Sequence, residues 1–575
     1  MDIQDWFKMK KYYRLLCLGL GLLVSVSGVD AQTREKSESE KLYHEATQAL
    51  SRGDYFTAQN KLENAVGVDS TNQEAGLELL RLYFAQKNFE GAAPLAEQLV
   101  RVAPKNESNL IALADVYKAT ENLDGLIDVF SRLMELSPDN ANFYYDKAFT
   151  LSLKKEYAQS LDLYQAIENR FGADDRLFVA RKDLFMRQEK HDEAIAIAKD
   201  YMAQRPGSSQ APLMLANIYL DLEKPALALE ILNEAEKKFS DEAFIPLTKA
   251  DAYKMLGDDR QVITELKKAM RHPELAVEIK IRSIYNTLQG ASDESAWRSA
   301  EELSEILMEL HQDKASTHAV YGDIQLQKRN PEAALSSFRT AVKLDSSMDF
   351  LWEQLLQLEV SLNELKSAQK NGADALEKFP TNANILLFTG YAFLLDRNYL
   401  EARSFLESAL NYADPANEAL MLEIYSSLGD LYNSLDMPAA SNVAYEEALA
   451  LDSTNTYVLN NFAYYLALRN EKLDRAASMS KLSNELSENN PSYQDTYAWV
   501  LFQLGQYEDA LQWIEKAIRH SDSPSATLIE HKGDILFKLG KRKEALQYWQ
   551  RALKINSSGD TEKLTRKIKE RIYVD

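Results

Sequence analysis

A small or apolar residue recurs in this chain at a fixed spacing of 34 residues. Eight successive positions at this spacing, without insertion or deletion, are Ala58, Ala92, Leu126, Ser160, Ala194, Ala228, Val262 and Ala296. The phase returns at Ala334, Ala368 and Ala402 and, with small changes of spacing, at Ser441, Ala476, Ala510 and Ala545. A period of this length predicts supersecondary units that must stack on their neighbours, because no single unit can bury its apolar face alone.

Other positions repeat with the same period when the recurrent residue is numbered 20. Position 8 is small, as in Ala114 and Gly533, and position 15 is often glycine or charged, as in Gly505. Position 17 is often aromatic and position 32 is proline in several repeats, such as Pro104. Small residues at 8 and 20 let two antiparallel helices approach closely, position 15 forms the turn between them, and proline ends the second helix.

This pattern resembles the tetratricopeptide repeat (TPR) family over about residues 39–559. The resemblance implies an all-α fold, an α-solenoid in which about 15 helix–turn–helix repeats form a right-handed superhelix. The C-terminal block at 460–518 is similar to the closing repeats of TPR proteins exported into bacterial envelopes.

The predicted organisation has five parts. They are a signal peptide at 1–31, an N-terminal TPR array at 32–276, an irregular repeat at 277–314, a C-terminal array at 315–559, and a capping helix and tail at 560–575. The irregular repeat has four extra residues, so it is a bend, a domain boundary or one degenerate repeat. A further offset of five residues precedes Ser441.

The N-terminus has the anatomy of a cleavable secretory signal. Basic residues precede the apolar run LLCLGLGLLVSVSG, and the sequence VDA comes directly before Gln32. Either Met1 or Met9 is the start. The signal predicts a periplasmic protein, free or associated with the outer membrane, with no integral span after cleavage; an uncleaved anchor is the alternative. Cys17, the one cysteine, lies inside the leader, so the mature protein would have no thiol chemistry.

Motifs for catalysis, metals or cofactors are missing from the pattern. There is no P-loop, HExxH or GxSxG motif, and the seven histidines are scattered. SxxK occurs at Ser152 and Ser478 without the SDN and KTG partners that it needs in penicillin-binding enzymes. The sequence therefore predicts that the chain is not an enzyme and that it has no catalytic, cofactor-binding or metal-binding residue.

In TPR proteins, positions 2, 5, 9 and 12 of the first helix usually line a binding groove. The clamp for a C-terminal carboxylate needs Lys at position 5 and Asn at position 9, and no repeat has that pair, so a chaperone-tail ligand is not expected. Position 9 is aspartate in six repeats, which either favours a partner with a basic segment or is a common family preference. These residues are Asp115, Asp183, Asp251, Asp323, Asp430 and Asp534.

Aromatic residues also fall at these positions near the C-terminus. Exposed aromatics in a groove are typical binding anchors, whereas tight packing between repeats would bury them. The predicted partner-binding residues are Tyr464, Trp499, Phe502, Phe537, Asp430 and Asp534.

The charge and the repeats together predict a class of function. A net charge of −22 repels phosphate backbones, so nucleic acid is not an expected partner. The prediction is a non-catalytic periplasmic scaffold or adaptor for a protein or peptide, within an envelope assembly or secretion machinery. The alternatives are an accessory subunit of an envelope enzyme complex and a membrane-anchored adaptor with an uncleaved signal.

Overall fold

The computed structural model describes residues 29–289, 294–555 and 561–574, and these ranges contain 31 α-helices and no strand. The first half consists of α1 (Val29–Ser51), α2 (Tyr55–Val68), α3 (Gln73–Ala85), α4 (Phe89–Val102), α5 (Glu107–Ala119), α6 (Leu123–Leu136), α7 (Ala141–Leu153), α8 (Tyr157–Phe171), α9 (Asp175–Arg187), α10 (His191–Gln204), α11 (Gln210–Asp221), α12 (Pro225–Lys238), α13 (Phe244–Leu256), α14 (Asp259–Met270) and α15 (Val277–Leu288).

The second half continues in the same way. It consists of α16 (Glu294–His311), α17 (Ala315–Gln327), α18 (Pro331–Leu344), α19 (Asp349–Ser361), α20 (Leu365–Leu376), α21 (Ala383–Leu395), α22 (Tyr399–Tyr412), α23 (Glu418–Ser434), α24 (Pro438–Leu451), α25 (Thr456–Leu468), α26 (Leu473–Leu486), α27 (Pro491–Gln503), α28 (Tyr507–His520), α29 (Ala526–Lys538), α30 (Arg542–Ile555) and α31 (Glu562–Glu570).

The helices pack in consecutive pairs, and the pairs follow the 34-residue period. Odd-numbered helices up to α29 are the first helix of a repeat (helix A), and the even-numbered helices are the second (helix B). The all-α solenoid predicted from the sequence is therefore confirmed, and α1–α30 form 15 such pairs. The chain divides into two compact units, one ending at Val262 and the next beginning at Ile263.

The small residues at positions 8 and 20 meet as the sequence predicts. The hydroxyl of Ser160 donates a hydrogen bond to the carbonyl of Ala148 at 2.7 Å. In a distant repeat the hydroxyl of Ser441 donates to the carbonyl of Gly429 at 2.8 Å. These are the same two positions, 20 and 8, so a small side chain at position 20 touches the backbone of helix A.

The turn between helix A and helix B has a left-handed residue at position 15. Glycine holds this conformation in four repeats, but charged residues and asparagine hold it elsewhere at φ between 53° and 65°. A side chain in this region of φ is strained, whereas glycine is not. Position 15 is Gly53, Lys87, Glu121, Lys155, Glu189, Glu223, Gly257, Arg329, Asn363, Arg397, Asp436, Asn470, Gly505 and Gly540 in the repeats where it is described.

We expect Glu189→Gly to stabilise its repeat by about 0.5–1 kcal/mol, because Glu189 is exposed and has a φ of 58°. Gly505→Ala is the opposite control: nothing lies within 4 Å of an added Cβ, but the φ of +76° penalises any side chain. Hydrogen exchange of the flanking helices in each variant measures both effects. Equal exchange in Glu189→Gly and the unchanged chain would contradict the strain argument.

Two lengthened helices explain most of the irregular spacings, and the fifth residue of the offset before Ser441 lies outside α23. Helix α16 has 18 residues, whereas most second helices have 14. Helix α23 has 17 residues, whereas most first helices have 13. Four residues are close to one helical turn of 3.6, so the apolar stripe keeps its direction after the insertion. The predicted bend at 277–314 stays a prediction.

The predicted leader and Cys17 lie outside the described residues, apart from positions 29–31 at the start of α1. Residues 290–293 of the irregular repeat also lie outside them. Among the described residues, no helix has the combined length and apolar character needed to cross a membrane.

Candidate partner-binding surfaces

Trp499 and Phe502 lie inside the protein rather than on an open surface. Both belong to α27, and only 7% of Trp499 and 4% of Phe502 are exposed. The indole of Trp499 stacks on Phe502 at 4.8 Å and on His531 of α29 at 4.1 Å between ring centroids. Neither residue has the exposure expected of a partner anchor. Both instead pack between repeats, which is the alternative that the sequence left open. Whether they bind a partner in another state stays a prediction.

His531 fixes the second face of the Trp499 ring. Its Nδ1 is 2.8 Å from a carboxylate oxygen of Asp495 on α27, across the repeat boundary. Burial lowers the pKa of His531, but the carboxylates of Asp495, Asp534 and Glu530 together outweigh burial and raise this pKa above its usual value. In the sequence His531 is one of seven scattered histidines. Its contacts with Trp499 and Asp495 become visible only when α27 packs on α29.

Asp534 is a buried member of an ion pair. Its side chain accepts a hydrogen bond from the indole of Trp549 at 2.9 Å. The ammonium of Lys567, from α31, lies 2.9 and 2.7 Å from its two oxygens. Burial raises the pKa of Asp534 to about 6, and Lys567 opposes that shift. The carboxylate that the sequence predicts to attract a partner is thus paired with Lys567 of the same chain.

The carboxylate of Asp430 also accepts hydrogen bonds from other residues of the chain. The hydroxyls of Tyr445, Tyr457 and Tyr465 donate hydrogen bonds to its carboxylate, as does the side-chain amide of Asn461. These donors lie on α24 and α25, so one carboxylate on α23 ties three successive helices together. Burial, followed by the charge of Asp430, raises the pKa of Tyr445 well above its usual value, which keeps the hydroxyl a donor.

The remaining two predicted residues are half-buried. Tyr464 lies against Tyr465, with ring centroids 5.9 Å apart, and burial with the charges of Asp495 and Glu530 raises its pKa to about 12. Phe537 packs on Trp549 at 5.5 Å. The structure therefore brings Trp499, Phe502 and Asp534 into one neighbourhood near the C-terminus. Asp430 belongs to a separate network of tyrosines.

An open pocket lies elsewhere, on helix A of two consecutive repeats in the first unit. It is formed by α11 and α13, and its lining comes from positions 9, 12 and 13 of each repeat. Met255 is 46% exposed there, a high value for a large apolar side chain. The lining residues are Asn217, Leu220, Asp221, Asp251, Lys254 and Met255.

The electrostatics of this pocket are dominated by two carboxylates. Asp221 and Asp251 both lie at its wall and are exposed to solvent. Although Asp251 is exposed as a whole residue, neighbouring atoms partly desolvate its carboxyl group, which raises the pKa of Asp251, while the charge of Lys254 opposes this shift. Asp251 is one of the six aspartates at position 9 but is not among the predicted partner-binding residues. The pocket could not be found from the groove positions alone, because Met255 stands at position 13, outside the positions usually assigned to the groove.

Matches to family models decide the identity of the repeats. Models described as tetratricopeptide repeat match residues 49–114, 185–245, 353–418, 492–519 and 526–558. The chain therefore contains tetratricopeptide repeats in these segments and is similar to TPR proteins. Repeats of this kind typically form scaffolds for protein–protein interaction.

Individual relatives match only part of this chain or match it at low sequence identity. The BBSome complex member BBS4 of Mus musculus is 31% identical over 170 residues, which is 27% of this chain and 32% of that protein. The chain thus matches about a third of this relative's length. Among solved structures, the APC/C hetero-tetramer Cut9–Hcn1 is 13% identical with a TM-score of 0.40, covering 87% of this chain and 96% of that one.

A bacterial structure is similar at a comparable level. The TPR protein from Parabacteroides merdae is 16% identical with a TM-score of 0.35, and the match covers 45% of the TPR chain and 98% of that protein. Likenesses at these identities concern the fold alone. Within the described ranges, no group of three or more His, Cys, Asp and Glu side chains is arranged to hold a metal ion.

Proposed function

We propose that this TPR chain is a non-catalytic scaffold that binds a segment of a partner protein in the pocket between α11 and α13. The observation that supports the proposal is the exposed Met255 beside Leu220 and the two carboxylates Asp221 and Asp251. An apolar floor with a few converging polar groups is the usual composition of a recognition pocket. Of the rings predicted as anchors near the C-terminus, Trp499 and Phe502 are buried and Tyr464 and Phe537 are half-buried, so they offer less surface to a partner.

The partner segment has a basic side chain next to an apolar one. Two carboxylates and one lysine line the pocket, and the chain as a whole carries a net charge of −22. Such a field attracts cationic segments and speeds their association. Asn217 adds a side-chain amide, which can pair with a peptide backbone through both a donor and an acceptor.

The test uses two pools of short fluorescent peptides that differ only in having Lys or Glu beside leucine. We expect the Lys pool to bind the full chain at least about tenfold more tightly than the Glu pool. The double variant Met255→Ser, Asp251→Asn should lose this preference. Its matched control is Leu227→Ser, Glu230→Gln, which alters one exposed apolar and one acidic residue on α12. Equal binding of the two pools, or equal loss in both variants, would contradict the proposal.

The setting of this function is the bacterial periplasm, within an envelope assembly. The support for this part is the leader at 1–31, whose basic start, apolar run and VDA sequence are typical of a cleaved signal. Expression of the full chain in a bacterium and N-terminal sequencing of the product test it. A mature start at Gln32 is the expected result, whereas a retained leader would indicate a membrane-anchored adaptor instead.

A further inference from the structure

The C-terminal segment, residues 561–574, lies against the neighbourhood of Trp499 and Asp534. Leu564 of α31 is 3% exposed and packs in one core cluster with Ile529 and Trp549. Beyond α31, the ring of Tyr573 lies 5.6 Å from the ring of Phe502. The segment thus contacts side chains of the last two repeats, including Phe502 and Asp534, which the sequence predicts to bind a partner.

Lys567 makes polar contacts with the last repeat. Its ammonium lies 2.7 Å from one oxygen of Asp534 and 2.8 Å from an oxygen of Glu530, and the residue is 4% exposed. Asp534 and Glu530 stand at positions 9 and 5, where the sequence analysis expects contacts to a partner. A lysine followed by an aromatic ring is therefore the chemistry that this surface accepts.

The charge of the segment complements the rest of the chain. Residues 561–575 contain five basic and three acidic side chains, whereas the whole chain has a net charge of −22. A partner with a basic segment is one of the two interpretations that the sequence offers for the position-9 aspartates. Residues 561–575 are such a segment, supplied by the chain itself.

We expect the segment to be held more weakly than a repeat is. Helix α31 has nine residues, and no side chain caps its N-terminus at Thr561. Isolated helices of this length are marginal in water, so its stability comes from docking. Terminal elements with few buried apolar contacts open at lower free energy than the helices they cover.

We propose that the surface formed by Phe502, Glu530 and Asp534 is a binding site for a segment that carries a lysine and an aromatic ring. In this structure the occupant is the chain's own C-terminal segment. When the segment opens, the same residues accept the C-terminal segment of a second copy of the chain. This site is separate from the pocket between α11 and α13, so the two proposals stand or fall independently.

The test adds a fluorescein-labelled peptide with the sequence of residues 561–575 to the full chain and measures anisotropy. In the double variant Lys567→Glu, Tyr573→Ala, repulsion from Glu530 and Asp534 should open the segment in cis. The peptide should then bind at least about tenfold more tightly than to the unchanged chain, whose own segment competes. The matched control is Lys569→Glu, which makes the same charge change at an exposed position of α31 and should bind as weakly as the unchanged chain.

A peptide that carries Lys567→Glu should bind none of these proteins. Binding of the unmodified peptide to all variants with one affinity, or to none, would overturn the proposal. Hydrogen exchange of the unchanged chain provides a second measurement that needs no variant. The amides of α31 should exchange at least about tenfold faster than those of α29. Exchange of both helices at one rate would show a cap that opens only with the last repeat, and would overturn the proposal.

Discussion

Trp499→Ala is expected to destabilise the last repeats by about 3–5 kcal/mol, the usual cost of removing a large buried aromatic side chain. The ring is 7% exposed and fills the space between Phe502 and His531. Its removal leaves a cavity at the boundary of α27 and α29 and removes the ring against which His531 is stacked. Hydrogen exchange of these two helices is the appropriate measurement, because long repeat arrays do not unfold in one step.

The matched control is Trp499→Phe. The indole nitrogen of Trp499 is buried without a hydrogen-bond partner among the described residues, so phenylalanine keeps most of the stacking and removes an unsatisfied donor. We expect this variant to cost less than about 1.5 kcal/mol. If Trp499→Ala left exchange in both helices unchanged while removing partner binding, the ring would be an exposed anchor, as the sequence predicted, and the packing account would be wrong.

Gly429→Ala is expected to destabilise the region around α23–α25 by about 1–3 kcal/mol. A Cβ at Gly429 would stand 2.6 Å from the ring of Tyr445, which is fully buried and cannot move freely. The hydroxyl of Tyr445 is also bonded to Asp430 at 2.5 Å, so displacing the ring disturbs the carboxylate that joins three helices. One methyl group therefore acts on both the packing and the polar network.

Gly67→Ala is the control for this substitution. Gly67 is inside α2 with a helical backbone, and nothing lies within 4 Å of an added Cβ. Alanine is the better helix former, so we expect a gain of about 0.5–1 kcal/mol. Thermal unfolding and hydrogen exchange of each variant provide the comparison. Equal effects at the two glycines would show that contact with Tyr445 does not limit position 8.

The sequence alone predicts the repeat architecture because the constraints on it are local. Close approach at positions 8 and 20 and a turn at position 15 depend on side-chain size within one repeat. Ser441 and Gly429 therefore meet as predicted. The spacing also marks the two irregular regions, and the structure explains them by the added turns of α16 and α23.

The binding surface could not be predicted in the same way because exposure depends on neighbouring repeats. Trp499 occupies a position expected to line a groove, yet His531 of the next repeat covers it. Asp534 occupies the equivalent position and is covered by Lys567, which lies 33 residues further on. Nothing in the repeat of Trp499 or in the repeat of Asp534 indicates that His531 or Lys567 will cover it. Met255, in contrast, is 46% exposed.

Hydrogen exchange of the full chain with and without the Lys-containing peptide pool is the direct test of binding in the pocket between α11 and α13. We expect slower exchange on peptide binding in α11 (Gln210–Asp221) and α13 (Phe244–Leu256), the two helices that form the open pocket. Protection confined to the second helices of the repeats, or the absence of protection in α11 and α13 at peptide concentrations that saturate binding, would contradict it.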